Sequence, residues 1–456
     1  MKKRGEALKN WKKKILGITL ALMVLVGAFT PPVRSFFELP AEQQVVLGDK
    51  IQLDWRLPPS LAKQIAWIVY DAQGGSKVAW ASGGFSATEA GDLHLQLKLF
   101  GIIPLKNINI QVVKPVAVVP GGHSIGILLH TQGVLVVGEA GVETPQGEKK
   151  YPARRAGLEV GDVILAVNGQ EVKSEEDLAD MIHRAGKAGR RVELVVRRGE
   201  RKFTVHVQPE YCRETGRYRI GLYVRDSTAG VGTLTFYHPT RGIYGALGHK
   251  VMPEYGSSAL EITGGRIIAA AVRGIQQARK GQPGEKIGLF SANPSFSGSI
   301  QKNTTFGIFG ILSGTPLPGP YGSPVPVALN SQVRPGRAEI LTVVSGEQVE
   351  VFEAYIERVL PQQYSNGKGL VIRITDTRLL SLTGGIIQGM SGSPILQDGK
   401  LVGAVTHVFV NDPTRGYGVL AEWMLRESGL WEDNAAQETL PGGSLSNFPV
   451  VCFLRS

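Results

Sequence analysis

Cysteine is nearly absent from this 456-residue chain: Cys212 and Cys452 are the only two, and no cysteine or histidine cluster has metal-ligand spacing. That excludes the usual signature of a structural metal, and no metal or cofactor is expected; the two thiols fit one long-range disulfide or two free groups. Aromatic residues are few at 7%, and long helical periodicities are scarce, whereas 58 Gly and 26 Pro are the composition of β-rich globular structure. Basic runs are missing beyond the N-terminus. Of the formal net charge of +11, more than half comes from "MKKRGEALKNWKKK", where seven Lys or Arg stand against one Glu. The remaining positive residues form no run or motif, so nucleic acid is not an expected partner.

The basic start is followed by the uncharged stretch Ile15 to Thr30 and then by Pro31 and Pro32. A positive segment ahead of an apolar one is the pattern of an export signal or of a membrane anchor with a cytoplasmic N-terminus. As a helix, Ile15 to Phe29 spans about 22 Å against a hydrocarbon core of roughly 30 Å, so cleavage and retention both stay open. The remainder of the chain is expected outside the cytoplasm.

After this basic and apolar segment (1–36), residues 37–117 alternate with period two. In "LHLQLKLF", Leu93, Leu95, Leu97 and Leu99 share one face while His94, Gln96 and Lys98 share the other, which predicts a small antiparallel β domain. From 118 to 209, "GGHSIGILLHTQGVLVVG" supplies strands. "ARRAGLEVGDVILAVNGQEV" adds a turn and another strand, "SEEDLADMIHRAG" a helix capped by Ser174, and "RVELVVRRGERKFTVHV" a hairpin. This arrangement resembles an α+β PDZ domain, whose fold receives an extended peptide as an added strand beside its second helix. The resemblance places the carboxylate-holding loop at Ile125, Gly126 and Ile127, with the helix from Glu175 to Ala185 as the opposite wall.

Residues 210–433 are rich in Gly, Pro, Val and Ile, as expected for paired β barrels, with 434–456 as a tail. Within "IQGMSGSPIL", Ser391 stands between glycines. That spacing suits either a tight turn or a nucleophile whose neighbouring N–H groups, those of Gly389 and Ser391, face a reacting carbonyl. A serine nucleophile needs a base, and His238, His249 and His407 lie in this segment. His238 precedes a proline in a turn-like stretch and His407 sits in an apolar strand. His249 follows the small residues of "YGALGH", which let a peptide approach, and is the chosen base. Aspartate is scarce as well: of the 141 residues between His249 and Ser391, only Asp376, ending the strand "VIRIT", is one, and it is the expected orienting acid.

The motifs "GIYGALGHKV", "VIRITDTRLL" and "IQGMSGSPILQDGKLVGAVTHVFVNDPTRGYGV", preceded by the PDZ-like stretch, together resemble the SpoIVB peptidase family of sporulation serine peptidases. That resemblance implies a C-terminal chymotrypsin-like double β-barrel, with His249, Asp376 and Ser391 as base, acid and nucleophile, and possible autocleavage. It also implies a protein substrate, the regulatory subunit of the pro-sigma-K processing complex, a BofC-type inhibitor as partner, and action in the space between the forespore membranes. Ser393 is the rival nucleophile but occupies a glycine's place in the related motif. Met390 stands where chymotrypsin-like enzymes commonly carry an aspartate that pairs with a newly released N-terminus, so control by that ion pair is excluded. A PDZ adaptor without activity is the alternative function. The Ser-Lys chemistry of carboxyl-terminal processing peptidases is disfavoured, because the lysine that follows Ser391 is Lys400 in a turn.

Overall fold

The computed structural model describes residues 41–51, 64–70, 76–80, 85–86, 89–251, 262–290, 294–360 and 367–431. The apolar N-terminal segment and Cys452 lie outside them. The chain divides into two compact units, Met1–Pro115 with Asn434–Ser456, and Val116–Asp433. No described helix is long and apolar enough to cross a membrane.

In the first unit, strands β1 (Glu42–Val46), β2 (Ile65–Tyr70), β3 (Ser76–Trp80), β4 (Gly91–Leu99) and β5 (Ile103–Val113) form one sheet in the order β1-β5-β4-β2-β3. The leucine alternation works as period two requires: Leu95 and Leu97 are buried with Ile108, Ile110 and Val112, while His94 on the other face meets the Asn109 side chain at 2.9 Å. The sheet is mixed, however, because β1 joins β5 in parallel. A strand that arrives by a long connection, without a hairpin, is free to take that direction.

In the second unit, a short strand at Ala117–Pro120 precedes β6 (Ser124–Glu139), a strand of 16 residues. Its far end starts the PDZ-like sheet with β7 (Val163–Val167), β8 (Val192–Arg198) and β9 (Arg201–Val207). Helix α1 (Glu175–Lys187) begins at Ser174, whose hydroxyl accepts the Asp177 N–H, and sends Leu178 and Ile182 into a core shared with Ile164, Leu194 and Val196. A hairpin of β10 (Glu210–Cys212) and β11 (Arg217–Arg219) follows, with Cys212 buried as a free thiol.

The chain then returns along the whole length of β6 as β12 (Leu222–Tyr237) and continues through β13 (Ile243–Ala246), β14 (Ile262–Gln276), edge strand β15 (Glu285–Phe290), β16 (Phe296–Thr304) and β17 (Gly307–Gly314). Pairing closes a six-stranded ring, β6-β12-β13-β17-β16-β14. The second barrel consists of β18 (Gly336–Val343), β19 (Val349–Val359), β20 (Leu370–Ile374), then, after helix α2 (Thr377–Thr383), β21 (Pro394–Gln397), β22 (Lys400–Phe409) and β23 (Asp412–Leu420), closed in the order β18-β19-β20-β23-β22-β21. Both rings therefore run first, second, third, sixth, fifth, fourth. Two barrels of this one order are the chymotrypsin-like architecture expected from the sequence. The PDZ-like body is an insertion between the first two strands of the first barrel, so that barrel starts at Ser124 and not near 210. Period-two alternation in Ile125, Ile127 and Leu129 looks the same in either fold.

Candidate active site

Ser391 lies in the turn that leads from α2 into β21, with Gly389 at φ +89° and Gly392 at φ +94°, a region that favours glycine. A Cβ on Gly392 would stand 2.1 Å from the Thr233 carbonyl oxygen and 2.5 Å from the Leu247 nitrogen, so the serine turn of the second barrel packs directly on the first. Thr233 on β12 organises this contact. Its hydroxyl donates to the Gly389 carbonyl at 2.7 Å, its N–H donates to the Ser391 carbonyl at 2.9 Å, and its own carbonyl accepts the Leu247 N–H at 3.2 Å. Among the described residues, the N–H groups of Gly389 and Ser391 are given to no protein acceptor. Two free donors flanking a serine are what an oxyanion requires.

His249 follows β13 and is partly buried. The residue two before it, Leu247, is held at φ +70°, a left-handed conformation that costs a non-glycine residue about 1–3 kcal/mol. His249 Nδ1 meets the Lys250 carbonyl at 3.0 Å. A carbonyl can only accept, so Nδ1 carries the proton of the neutral ring and Nε2 is left as the free base. Burial holds the imidazole pKa below the usual 6.5, and the Lys250 carbonyl opposes this. Ser391 Oγ donates to the Thr406 carbonyl at 2.8 Å, while the His249 ring lies 5.1 Å from that of His407, the next residue on β22. A Cβ on Gly248 would stand 2.9 Å from Thr406 Cγ2. The serine and the histidine thus converge on one strand segment, with the hydroxyl bonded to Thr406 and not to the imidazole.

Asp376 makes no hydrogen bond to His249 among the described residues. It is the N-cap of α2: Oδ1 accepts the Leu379 N–H at 2.9 Å and Oδ2 accepts the Glu353 N–H at 3.3 Å. A strand-end aspartate followed by "TRLLSLT" starts a helix, and in this structure its oxygens serve that helix and the Glu353 N–H. At the turn from β16 to β17, Asn303 instead holds the loop carrying His249. Its Oδ1 accepts the Val251 N–H at 2.9 Å and its Nδ2 donates to the Val251 carbonyl at 3.0 Å. Nothing in "QKNTTFG" marks this role, which depends on a contact across the barrel. His238 is a turn residue, with its Nδ1 accepting the Arg241 N–H at 3.3 Å.

The peptide loop expected at Ile125, Gly126 and Ile127 is also corrected. These residues are interior to the first barrel, paired on one side with Gly232, Val231 and Gly230 and on the other with Ala269, Ile268 and Ile267. A strand with partners on both edges has no free ladder for an added peptide. The opposite wall is occupied too: a Cβ on Gly186 would stand 2.4 Å from Tyr218 Cβ, His183 Nδ1 accepts the Tyr218 N–H at 3.2 Å, and Asp180 pairs with Arg217. The β10–β11 hairpin covers that face of α1.

Against known proteins, residues 216–425 match the model of the SpoIVB peptidase S55 family and residues 144–198 that of the PDZ domain. The chain is 39% identical over 59 residues to the serine protease HTRA1 of Xenopus tropicalis, covering 13% of this chain and 12% of that protein. It is 35% identical over 96 residues to a periplasmic serine endoprotease DegP-like of Pseudomonas fluorescens, covering 19% and 20%. It therefore spans about a fifth or less of the length of these two curated relatives. Among solved structures, the Rv3671c protease of M. tuberculosis in its inactive form is similar over 44% of this chain and 84% of that one, at 15% identity and a TM-score of 0.23.

Proposed function

We propose, for a chain whose residues 216–425 match the model of the SpoIVB peptidase S55 family, that it is an endopeptidase in which Ser391 is the nucleophile. The observation that carries this is the paired free donors of Gly389 and Ser391 beside a hydroxyl, next to a histidine whose Nε2 is the basic nitrogen. Rotation of the Ser391 hydroxyl away from Thr406 lets Oγ bond to the scissile carbonyl carbon as its proton passes to His249 Nε2. The carbonyl oxygen, now negative, meets the two N–H groups. The imidazolium then protonates the leaving amine, and water repeats the sequence to release the acyl group. The Lys250 carbonyl does the orienting of the imidazole that a carboxylate performs elsewhere.

The family resemblance supports an exported enzyme acting on a membrane-associated regulatory protein, the regulatory subunit of the pro-sigma-K processing complex, under a BofC-type inhibitor. The second reading, an inactive PDZ-containing adaptor, is favoured by the hydroxyl's bond to the Thr406 carbonyl, with no carboxylate hydrogen-bonded to His249 among the described residues. Incubating the purified chain with an unfolded protein substrate separates the two. Cleavage by the wild type that disappears in Ser391→Ala supports the peptidase; intact substrate with both supports the adaptor.

A further inference from the structure

Strand β15, "EKIGLF", is inverted relative to its hydrophobic pattern. Ile287 and Leu289 are 52% and 55% exposed, whereas Lys286 between the barrels is only 4% exposed. Burying an ammonium is expensive unless it is paired, and among the described residues this one meets no carboxylate. Its Nζ donates to Thr342 Oγ1 on β18 at 2.7 Å and to Ser124 Oγ on β6 at 3.4 Å, which ties the second barrel to the first. Ser393 Oγ, two residues after the nucleophile, donates to the same Thr342 oxygen at 3.2 Å.

The charged neighbours point elsewhere: Glu285 on the same strand is exposed, Glu339 on β18 is held by Tyr321, and His123 beside Ser124 meets the Leu317 carbonyl at 2.7 Å. Burial alone pushes the Lys286 amine down to about 7.

The stem of Lys286 lies directly under the serine turn. A Cβ on Gly389 would stand 3.1 Å from Lys286 Cβ and 3.2 Å from its Cγ and Cδ. The Lys286 N–H donates to the Gln388 carbonyl at 3.0 Å, and the Gln388 N–H donates to the Gly284 carbonyl at 2.8 Å. Backbone and stem of one residue therefore contact the turn at Gln388 and Gly389, and its amine shares the Thr342 hydroxyl with Ser393 at the turn's end. Met390, in the middle of that turn, cannot make an ion pair with a buried ammonium.

We propose that Lys286 is a positioning residue for the oxyanion turn, its amine anchored on Thr342 and Ser124 and its stem supporting Gly389, so that a buried lysine does here what Met390 prevents an N-terminal ammonium from doing. The inference rests on Ser391 as nucleophile. Its support is geometric, and it needs no change of protonation during turnover, since the charged and the neutral amine both donate to two hydroxyls.

The test is Lys286→Met in the full chain, with kcat and KM measured on a cleaved substrate. Loss of positioning lowers kcat about tenfold or more, with KM within about twofold and fluorophosphonate labelling of Ser391 slowed in parallel. Stability moves the other way. The lysine's pKa is lower in the folded than in the unfolded chain, so its favourable contribution is full above the unfolded value of 10.5 and is lost as pH falls towards 7. The Tm of Lys286→Met relative to wild type is therefore higher at pH 6 than at pH 10, a pattern that plain structural damage does not produce.

If that variant fails to fold, Thr342→Val removes the anchor without changing shape, and a drop of roughly threefold or more in kcat is expected. Where both fold, the double variant is no slower than Lys286→Met alone. A folded Lys286→Met enzyme with wild-type kcat, a loss in KM alone, or additive losses overturns the proposal. Failure of the nucleophile assignment is distinct: wild-type protein then shows no Ser391 labelling at all.

Discussion

Thr233 holds Ser391 from the opposite barrel, its N–H donating to the Ser391 carbonyl at 2.9 Å while its hydroxyl takes the Gly389 carbonyl at 2.7 Å. The oxyanion turn is built by the chain of the second barrel and clamped by the first, so its shape depends on how the two meet.

Replacing Thr233 with the isosteric valine keeps the strand bond and removes the hydroxyl bond. A buried carbonyl that loses its donor costs about 1–3 kcal/mol. The expected result is a Tm lower by several degrees and kcat reduced by roughly tenfold with KM little changed; kcat equal to wild type contradicts the clamp.

The pH profile tests the base. Because burial lowers the His249 pKa, the ring stays neutral on going below its ordinary 6.5, and activity needs the neutral ring. The acid limb of kcat/KM is therefore expected at a pH below 6.5. For folding, a depressed histidine contributes stability present above its unfolded pKa and lost as pH falls through the folded one. A limb above 6.5 means that a carboxylate stabilises the charged ring, and the geometry around Lys250 is then wrong for the working enzyme. His407→Asn leaves most activity, whereas His249→Asn removes it by about four orders of magnitude.

Asp376 separates cap from triad. Asparagine caps a helix nearly as well as aspartate, so Asp376→Asn is expected to melt and cleave like wild type, while Asp376→Ala loses about 1 kcal/mol of stability. A collapse of turnover in a normally folded Asn variant returns the carboxylate to the catalytic site.

Gly126→Val probes the reassignment of the SIGI segment. A Cβ at Gly126 would stand 2.2 Å from the ring of Phe290 on the edge strand β15. Overpacking of this kind costs typically 1–3 kcal/mol, so Tm falls, and protein cleavage and fluorophosphonate labelling fall together. Loss of protein cleavage alone, at unchanged Tm, restores the peptide-groove interpretation.

What was legible in the sequence was whatever local pattern determines. The leucine alternation gave the N-terminal sheet, Ser174 gave the start of α1, and the glycines around Ser391 marked a turn with free donors. Long-range placement was not legible. Whether Ile125 to Ile127 belongs to a PDZ strand or to a barrel wall depends on partners about 100 and 140 residues away, β12 and β14. The helix that Asp376 caps is short and weakly periodic and so was not legible, and Thr233, Asn303 and Thr406 act through backbone contacts that no motif records. Lys286 left a trace, since its strand presents isoleucine and leucine to solvent; inversions of a hydrophobic pattern are expected where function overrides local preference.

The most direct test is to treat the purified chain with a small fluorophosphonate and locate the adduct by peptide mass spectrometry. A single phosphonyl group on Ser391, absent from His249→Asn and slowed in Thr233→Val, is the predicted result. A protein that stays unlabelled while fully folded, or one labelled on Ser393, contradicts Ser391 as the nucleophile.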